Sequence, residues 1–164
     1  MTMPVLRPAP EWRTGGWLNS DRPLSLAEFR GRVVALHAFQ MLCPGCVSHG
    51  LPQAKAIHES FPPGRVQVIG LHTVFEHHDV MTRPALEAFV REYRLTFPIG
   101  IDLPAESGSI PQTMAAYAMQ GTPTLILIDR AGRLRKHSFG IEDDMRVGAD
   151  IAFLLSEQDS DALR

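Results

Sequence analysis

The stretch VVALHAFQMLCPGCVSHGLP, residues 33–52, decides the fold of this chain. It opens with a nearly continuous apolar run, Val33 to Phe39, the pattern of a strand buried on both faces. A short loop with Cys43 and Cys46 follows, and a helix is predicted from about Cys46 to Phe61. These are the only two cysteines in the chain, and so close a pair suggests redox chemistry or a metal rather than a disulfide framework.

The flanking sequence predicts the other elements of an α/β sheet. Pro52 is expected to kink the first helix, and the tight turn at residues 130–132 predicts a hairpin. Residues 1–19 are predicted to be irregular or a short hairpin, and the tail after Ser156 to be frayed. Further strands are predicted at 66–74, 97–101, 124–129 and 134–139, and further helices at 84–93, 110–117 and 145–156.

Together these elements describe one α/β domain, residues 1–164 with a core of about residues 20–156, in which helices cover both faces of a central mixed sheet. The composition is that of an ordinary globular protein, 45% apolar and 21% charged. A net charge of −2 shows no basic bias for nucleic acid. No apolar run approaches the roughly 18 residues of a membrane helix, and Met1 to Trp12 lacks the apolar region of a secretory signal. We expect a cytoplasmic protein with no nucleic-acid or membrane partner.

The position of the cysteine pair favours thiol chemistry. Cys43 stands just after a buried strand and at the start of a helix, where unpaired backbone N–H groups and a partial positive charge favour the thiolate. We therefore expect a lowered pKa for Cys43, the attacking thiol, with Cys46 one turn further along and more buried. The alternatives are a metal site or a pair that merely packs, although the Pro44-Gly45 insert is a poor choice for packing.

Two motifs carry a resemblance to a known family. The segment LSLAEFRGRVVALHAFQMLCPGC, residues 24–46, resembles the active-site region of TlpA-like thioredoxin-fold proteins of the redoxin (AhpC/TSA) superfamily. The segment GTPTLILIDRAGRL, which begins at Gly121, resembles the family's second anchor, whose proline is cis. The resemblance covers roughly residues 20–156.

The resemblance implies a thioredoxin fold and a thiol–disulfide oxidoreductase without a cofactor. Cys43 would be the nucleophile and Cys46 the resolving cysteine. A cis Pro123 would face the disulfide, and the backbone of Thr122 would pair with a bound polypeptide, with Pro44 and Gly45 also among the substrate-binding residues. The implied partners are protein disulfides and an upstream dithiol donor. From the residues alone, Pro123 is instead a trans proline that starts a strand and needs no donor.

The chain departs from the family pattern around the cysteines. Gln40-Met41-Leu42 replaces an aromatic segment, so the surface near Cys43 is predicted to be more aliphatic. His49 replaces a common glutamate, and His37 stands where thioredoxins bury an aspartate. An imidazole titrates near neutral pH, so we assign His49 a catalytic role in proton transfer to and from Cys46. The alternatives are a surface histidine for His49 and a satisfied core histidine for His37.

Two other function classes compete with this hypothesis. A thiol peroxidase of this fold carries a hydroxyl residue three positions before the attacking cysteine and a proline four before that, where this chain has Gln40 and Leu36. A metal chaperone resembling the Sco proteins has three residues between its cysteines, not two. The histidines at positions 72, 77 and 78 are ligands of the kind that zinc and copper accept, but the first falls within a predicted core strand, and we expect no metal.

Overall fold

The computed structural model describes Met3, Val5 and residues 7–157. A 3₁₀ helix spans Leu26–Phe29, and a π-helical turn spans Cys46–Gly50. The strands are β1 (Arg7–Pro8), β2 (Thr14–Leu18), β3 (Val33–Phe39), β4 (Val66–His72), β5 (Ile99–Asp102), β6 (Thr124–Ile128) and β7 (Arg133–Phe139). The α-helices are α1 (Leu51–Ser60), α2 (Arg83–Glu92), α3 (Gln112–Ala116) and α4 (Asp144–Ser156).

The seven strands form one mixed sheet in the order β1-β7-β6-β3-β4-β5-β2. Strands β3, β4 and β5 pair in parallel, whereas β6, β7, β1 and β2 are antiparallel to their neighbours. The strand that precedes the cysteines, β3, lies at the centre, and all seven of its residues are buried. The predicted α/β fold with a mixed sheet is confirmed.

Apolar side chains cover both faces of this sheet, which explains why β3 reads as a continuous apolar run rather than an alternating one. On one face, Val33, Ala35 and Phe39 pack in the core formed with α1, α2 and α4. On the other face, the core contains the alternate β3 residues together with the 3₁₀ helix, α3 and two tryptophans: Trp12, Trp17, Leu26, Phe29, Val34, Leu36, Ala38, Met114 and Tyr117.

The prediction of a hairpin within residues 1–19 is wrong for the part that the structure describes. Strands β1 and β2 do not pair with each other; β1 pairs with β7 and β2 with β5, at opposite edges of the sheet. The physical reason lies between them: Trp12 and Trp17 are buried in one core, with ring centroids 6.0 Å apart, so the segment crosses that face of the sheet. The predicted fraying begins after Ser156: the carboxylate of Glu157 accepts from the Arg135 guanidinium over 2.8 Å, and residues 158–164 lie outside the described residues.

The helix after the cysteines also differs from the prediction, because residues Cys46–Gly50 form a π-helical turn ahead of α1. The N–H of Leu51 donates to the carbonyl of Cys46, five residues earlier. Pro52 has no N–H and cannot continue the usual pattern back to the carbonyl of Ser48, which accounts for the altered turn. The regular α-helix begins only at Leu51. Within the described part of the chain, no helix is long and apolar enough to cross a membrane.

Candidate active site

The two cysteines lie in the loop and first turn that follow the central strand β3. Both are free thiols; Cys43 is half-buried and Cys46 is buried. The backbone N–H of Cys46 donates to Sγ of Cys43 over 3.2 Å. The Cys43 thiol donates to the carbonyl oxygen of Thr122 over 3.4 Å. Only the Cys43 sulfur can be approached from outside, and it already has a donor that stabilises negative charge on it.

Cys46 lies in the opposite environment, fully enclosed in the core on the α1 side of the sheet. Burial raises the pKa of its thiol to about 12, and the hydrogen bond with the Cys43 thiol acts in the same direction. A thiol in this state keeps its proton at neutral pH and is a poor nucleophile until a base removes it.

The segment before β6 packs directly against the cysteine loop. The Thr122–Pro123 peptide bond is cis. A Cβ added to Gly45 would lie 3.3 Å from Cδ of the Pro123 ring, and one added to Gly50 only 3.0 Å from its Cβ. The absence of side chains at both glycines therefore lets the turn and the proline approach each other this closely.

Two further hydrogen bonds hold the segment before β6 in place. The N–H of Gly140 donates to the carbonyl of Pro123 over 2.8 Å, and the Thr124 hydroxyl donates to the carbonyl of Gly121 over 2.7 Å. The Cys43 thiol, the Thr122 carbonyl and the Pro123 ring are thus held in one place. Pro44 and Leu42 are exposed beside them.

The segment that replaces the family's aromatic residues is mostly inside the protein. Gln40 is buried; its carbonyl accepts from the N–H of Cys43 and its side-chain oxygen from the N–H of Phe75. Met41 is buried as well, whereas Leu42 is 56% exposed. The predicted aliphatic surface next to Cys43 therefore consists, in this segment, of Leu42.

His49, predicted to move a proton to and from Cys46, is exposed, and its Nδ1 lies 2.7 Å from the hydroxyl of Ser48. The prediction placed it on the Cys46 side of an α-helix, but residues 46–50 are π-helical, so a residue three positions on is rotated away. Besides burial, the groups that affect the pKa of the Cys46 thiol are Cys43, Gln40 and Thr122. His49 faces a pocket that lies behind Pro123.

That pocket has a volume of about 130 Å³ and lies between the start of α1, the start of β6 and the loop before α4. His37 reaches it from β3 and is only 2% exposed. Burial lowers the pKa of His37 to about 4, against a smaller opposing effect of Asp144, and its Nε2 has no hydrogen-bond partner. The polar residues that sequence reasoning missed here are Ser48, Gln53, Glu142 and Asp144.

The histidines after the second buried strand are placed differently from one another. His72 is buried, packs against Phe39 with ring centroids 5.2 Å apart and the ring planes tilted by 46°, and accepts from the N–H of Met41 over 3.4 Å. Burial lowers the pKa of His72 to about 4. His77 and His78 are exposed. Nowhere in residues 3, 5 and 7–157 are three or more His, Cys, Asp or Glu side chains grouped so that they could hold a metal ion.

Comparison with known proteins gives matches over most of the chain. The AhpC/TSA family matches residues 5–137. Sporulation thiol-disulfide oxidoreductase A of Bacillus subtilis (strain 168) is 26% identical over 68% of this chain. Thiol-disulfide oxidoreductase ResA of Bacillus cereus (strain ATCC 10987 / NRS 248) is 27% identical over 69%. The chain spans 61% and 58% of the lengths of these two relatives.

Solved structures extend the similarity to nearly the whole chain. The thioredoxin-like superfamily protein SPOA0173 is 53% identical, with a TM-score of 0.91, over 93% of this chain and 98% of that one. A thiol-disulfide isomerase from Corynebacterium glutamicum is 49% identical, with a TM-score of 0.87, over 95% of this chain and 98% of that one.

Proposed function

Because this chain belongs to the AhpC/TSA family and has a thioredoxin-like fold, we propose that it is a thiol–disulfide oxidoreductase that works through Cys43 and Cys46. A relative at 26% identity is named a thiol-disulfide oxidoreductase, and a solved structure at 49% identity is named a thiol-disulfide isomerase. The observation that carries the proposal is the asymmetry of the pair: Cys43 offers an accessible sulfur beside the Thr122 carbonyl, and Cys46 is enclosed behind it.

The asymmetry supports a reaction in two steps. The Cys43 thiolate attacks one sulfur of a substrate disulfide, forms a mixed disulfide and expels the other sulfur as a thiolate, which takes up a proton. Cys46 then loses its proton to a base and attacks Sγ of Cys43. This second step releases the substrate's remaining sulfur as a thiol, and the Cys43–Cys46 disulfide is left. Two electrons pass to the substrate, and an upstream dithiol donor restores the reduced enzyme.

The substrate class we propose is a polypeptide that carries a disulfide. Its backbone would lie along Thr122, next to the Cys43 sulfur, with Pro44 and Gly45 on the other side. We propose reduction as the direction, in keeping with a cytoplasmic location, since a reducing compartment keeps thiols reduced. No cofactor is needed, because the two thiols supply both electrons.

The test is an insulin-reduction assay with dithiothreitol as the electron donor. The parent protein should accelerate reduction, and Cys43→Ser should abolish the acceleration. Cys46→Ser should trap mixed disulfides with substrate, because the second step is lost. Trapping by Cys43→Ser instead would reverse the two roles, and an inactive parent protein would contradict the proposed function.

A companion measurement is the reduction potential of the Cys43–Cys46 couple against glutathione. A value well below that of glutathione supports a reductase, since the reduced form is then the stronger electron donor. A value near or above it would point to an oxidase, an isomerase or a sensor. Consumption of hydrogen peroxide without insulin reduction would favour a thiol peroxidase, although Gln40 supplies no hydroxyl there and its side-chain oxygen is already bonded to Phe75.

A further inference from the structure

The pocket behind Pro123 adjoins the surface where a polypeptide is proposed to bind. Pro123 and Ile141 form part of its lining, and the residue before Pro123 is the one whose carbonyl contacts the Cys43 sulfur. Ile141 is 62% exposed at the rim. A side chain of a polypeptide that lies along Thr122 therefore has this pocket within reach, since an extended chain advances only about 3.3 Å per residue.

Two of the side chains that line the pocket carry a buried polar atom without a partner in the protein. His37 is 2% exposed, and its Nε2 has no partner. Oε2 of Glu142 is likewise buried without a partner. Buried polar atoms in native structures are nearly always bonded, so two unused ones at a single pocket point to a group supplied from outside.

The charges around the pocket are negative on balance. Asp144 lines it, and its Oδ1 accepts from the side-chain amide of Gln53 over 2.9 Å. Among the residues that the structure describes, no cation pairs with Asp144. Lys136, which packs against this loop, is already shared between Glu142 and Asp150.

Of the two histidines that line the pocket, His37 does not offset this negative charge at neutral pH. His37 is neutral above about pH 4, because burial lowers its pKa, and in its Nδ1-protonated form Nε2 accepts a hydrogen bond. His49 lies at the exposed side with its Nδ1 on the Ser48 hydroxyl.

We propose that this pocket is a specificity subsite for a lysine side chain of the substrate, carried within three residues of its reacting cysteine. The assignment rests on the proposed function. An ammonium group has three donors, and three side chains that line the pocket carry acceptors for them: the Asp144 and Glu142 carboxylates and, in its Nδ1-protonated form, the His37 imidazole. An acidic side chain is repelled by the two carboxylates, and an apolar one leaves the buried acceptors without partners.

The experiment uses short peptides whose single cysteine is a mixed disulfide with thionitrobenzoate, so that attack by Cys43 releases a coloured thiolate. Lysine is placed in turn at each of the three positions on either side of the cysteine, and each peptide is compared with its norleucine counterpart. Norleucine keeps the aliphatic stem and lacks the ammonium group. The measured quantities are kcat and KM for the parent protein, Asp144→Asn and Asp143→Asn.

Asp143 provides the matched control, because it carries the same charge one residue away and does not line the pocket. It is the N-cap of α4, where its side chain accepts from the N–H of Arg146, and asparagine serves that position equally well. Asparagine at 144 keeps an acceptor for Gln53, so neither variant is expected to alter the fold.

At one or more positions the parent protein should prefer lysine by about fivefold or more in kcat/KM, expressed mainly in KM, as charge-assisted hydrogen bonds provide. Asp144→Asn should remove most of that preference and Asp143→Asn should keep it. Equal rates with lysine and norleucine at every position, with insulin still reduced, would overturn the subsite alone. A preference that survives in Asp144→Asn would also overturn it. A parent protein that reduces neither peptides nor insulin would contradict the proposed function itself.

Discussion

Cys46 is the residue whose environment bears most directly on the second step of the proposed reaction. Burial raises the pKa of its thiol to about 12, so the thiol keeps its proton at pH 7. Resolution of the mixed disulfide needs the thiolate, so a group that accepts the proton should accelerate this step more than the first one. The Cys43 sulfur is half-buried and accepts a hydrogen bond from the N–H of Cys46.

The first residue-level prediction concerns His49. We expect His49→Ala to slow resolution of the mixed disulfide and to shift its pH dependence, while the free energy of unfolding stays nearly unchanged because the side chain is exposed. His49→Glu should recover part of the rate, since a carboxylate can accept the same proton. The rate of resolution is measured from about pH 5 to pH 9.

The matched control for His49 is His78→Ala, which removes an exposed imidazole from a loop remote in sequence from the cysteines. It should behave like the parent protein at every pH. The π-helical turn makes a water molecule the expected carrier between His49 and the Cys46 thiol, because the two do not share a helix face. If His49→Ala matches the parent protein throughout, the proton must leave through His37 or through water alone.

At the scale of elements, the π-helical turn and the segment before β6 form one unit that holds the cysteine loop against Pro123. Gly50 is its tightest point, because a Cβ there would stand 3.0 Å from Cβ of the proline. We expect Gly50→Ala to push Pro123 and the Thr122 carbonyl by a few tenths of an ångström and to lower kcat/KM for insulin by about tenfold.

A control substitution at Gly148 separates the effect of the Pro123 contact from the effect of helix propensity. Gly148 lies within α4, and a Cβ there would meet nothing within 4 Å. Gly148→Ala should raise the free energy of unfolding by up to about 1 kcal/mol and leave activity unchanged. Gly148→Ala changes helix propensity without a new contact, so a tenfold loss confined to Gly50→Ala isolates the contact with Pro123. Equal activity in the two variants would show that this contact does not position the site.

The elements that sequence predicted well are those whose pattern is local. Strand β3 was predicted with its observed bounds, Val33–Phe39, because burial on both faces leaves a continuous apolar run. The hairpin of β6 and β7 followed from the turn between them. The π-helical turn could not be predicted in this way, since its hydrogen-bond pattern depends on Pro52 and on packing against Pro123, 71 positions later in the sequence.

The same distinction separates the cysteines from the pocket behind them. The spacing of Cys43 and Cys46 is visible in the sequence. Gln53 and Asp144, in contrast, are 91 positions apart and come into contact only in the folded chain. Strand β1 pairs with β7 across a still longer separation, Arg7 opposite Leu134, and has too few residues to show a period. Single polar residues in separate helices carry no sequence signal of this kind, so the pocket required the structure.

At the scale of the whole molecule, the central sheet carries two buried histidines, and this should make stability depend on pH. His37 lies on β3 and His72 on β4, next to the strand end that leads to the cysteines. Burial lowers the pKa of each to about 4, compared with an ordinary value of 6.5. Both are neutral in the folded protein at pH 5, whereas both would be largely protonated in the unfolded chain.

The sign of the effect follows from proton binding in the two states. Between about pH 4 and pH 6.5 the unfolded chain binds more protons than the folded protein at these two sites, so stability rises with pH in this window and is lost as pH falls. A depressed histidine pKa of this size costs about 2 kcal/mol per histidine at pH 5 relative to pH 7. Asp144 opposes the shift at His37, but less strongly than burial.

The last prediction is that replacing one buried histidine flattens this dependence. His37→Gln keeps a polar side chain of similar size without a titrating group, so its loss of stability from pH 7 to pH 5 should be about 2 kcal/mol smaller than that of the parent protein. Urea unfolding at the two pH values measures the difference, and any constant cost of the substitution cancels from it. His78→Gln, at an exposed site, should lose as much as the parent protein does. If His37→Gln loses as much as well, the imidazole of His37 is not held neutral in the folded core.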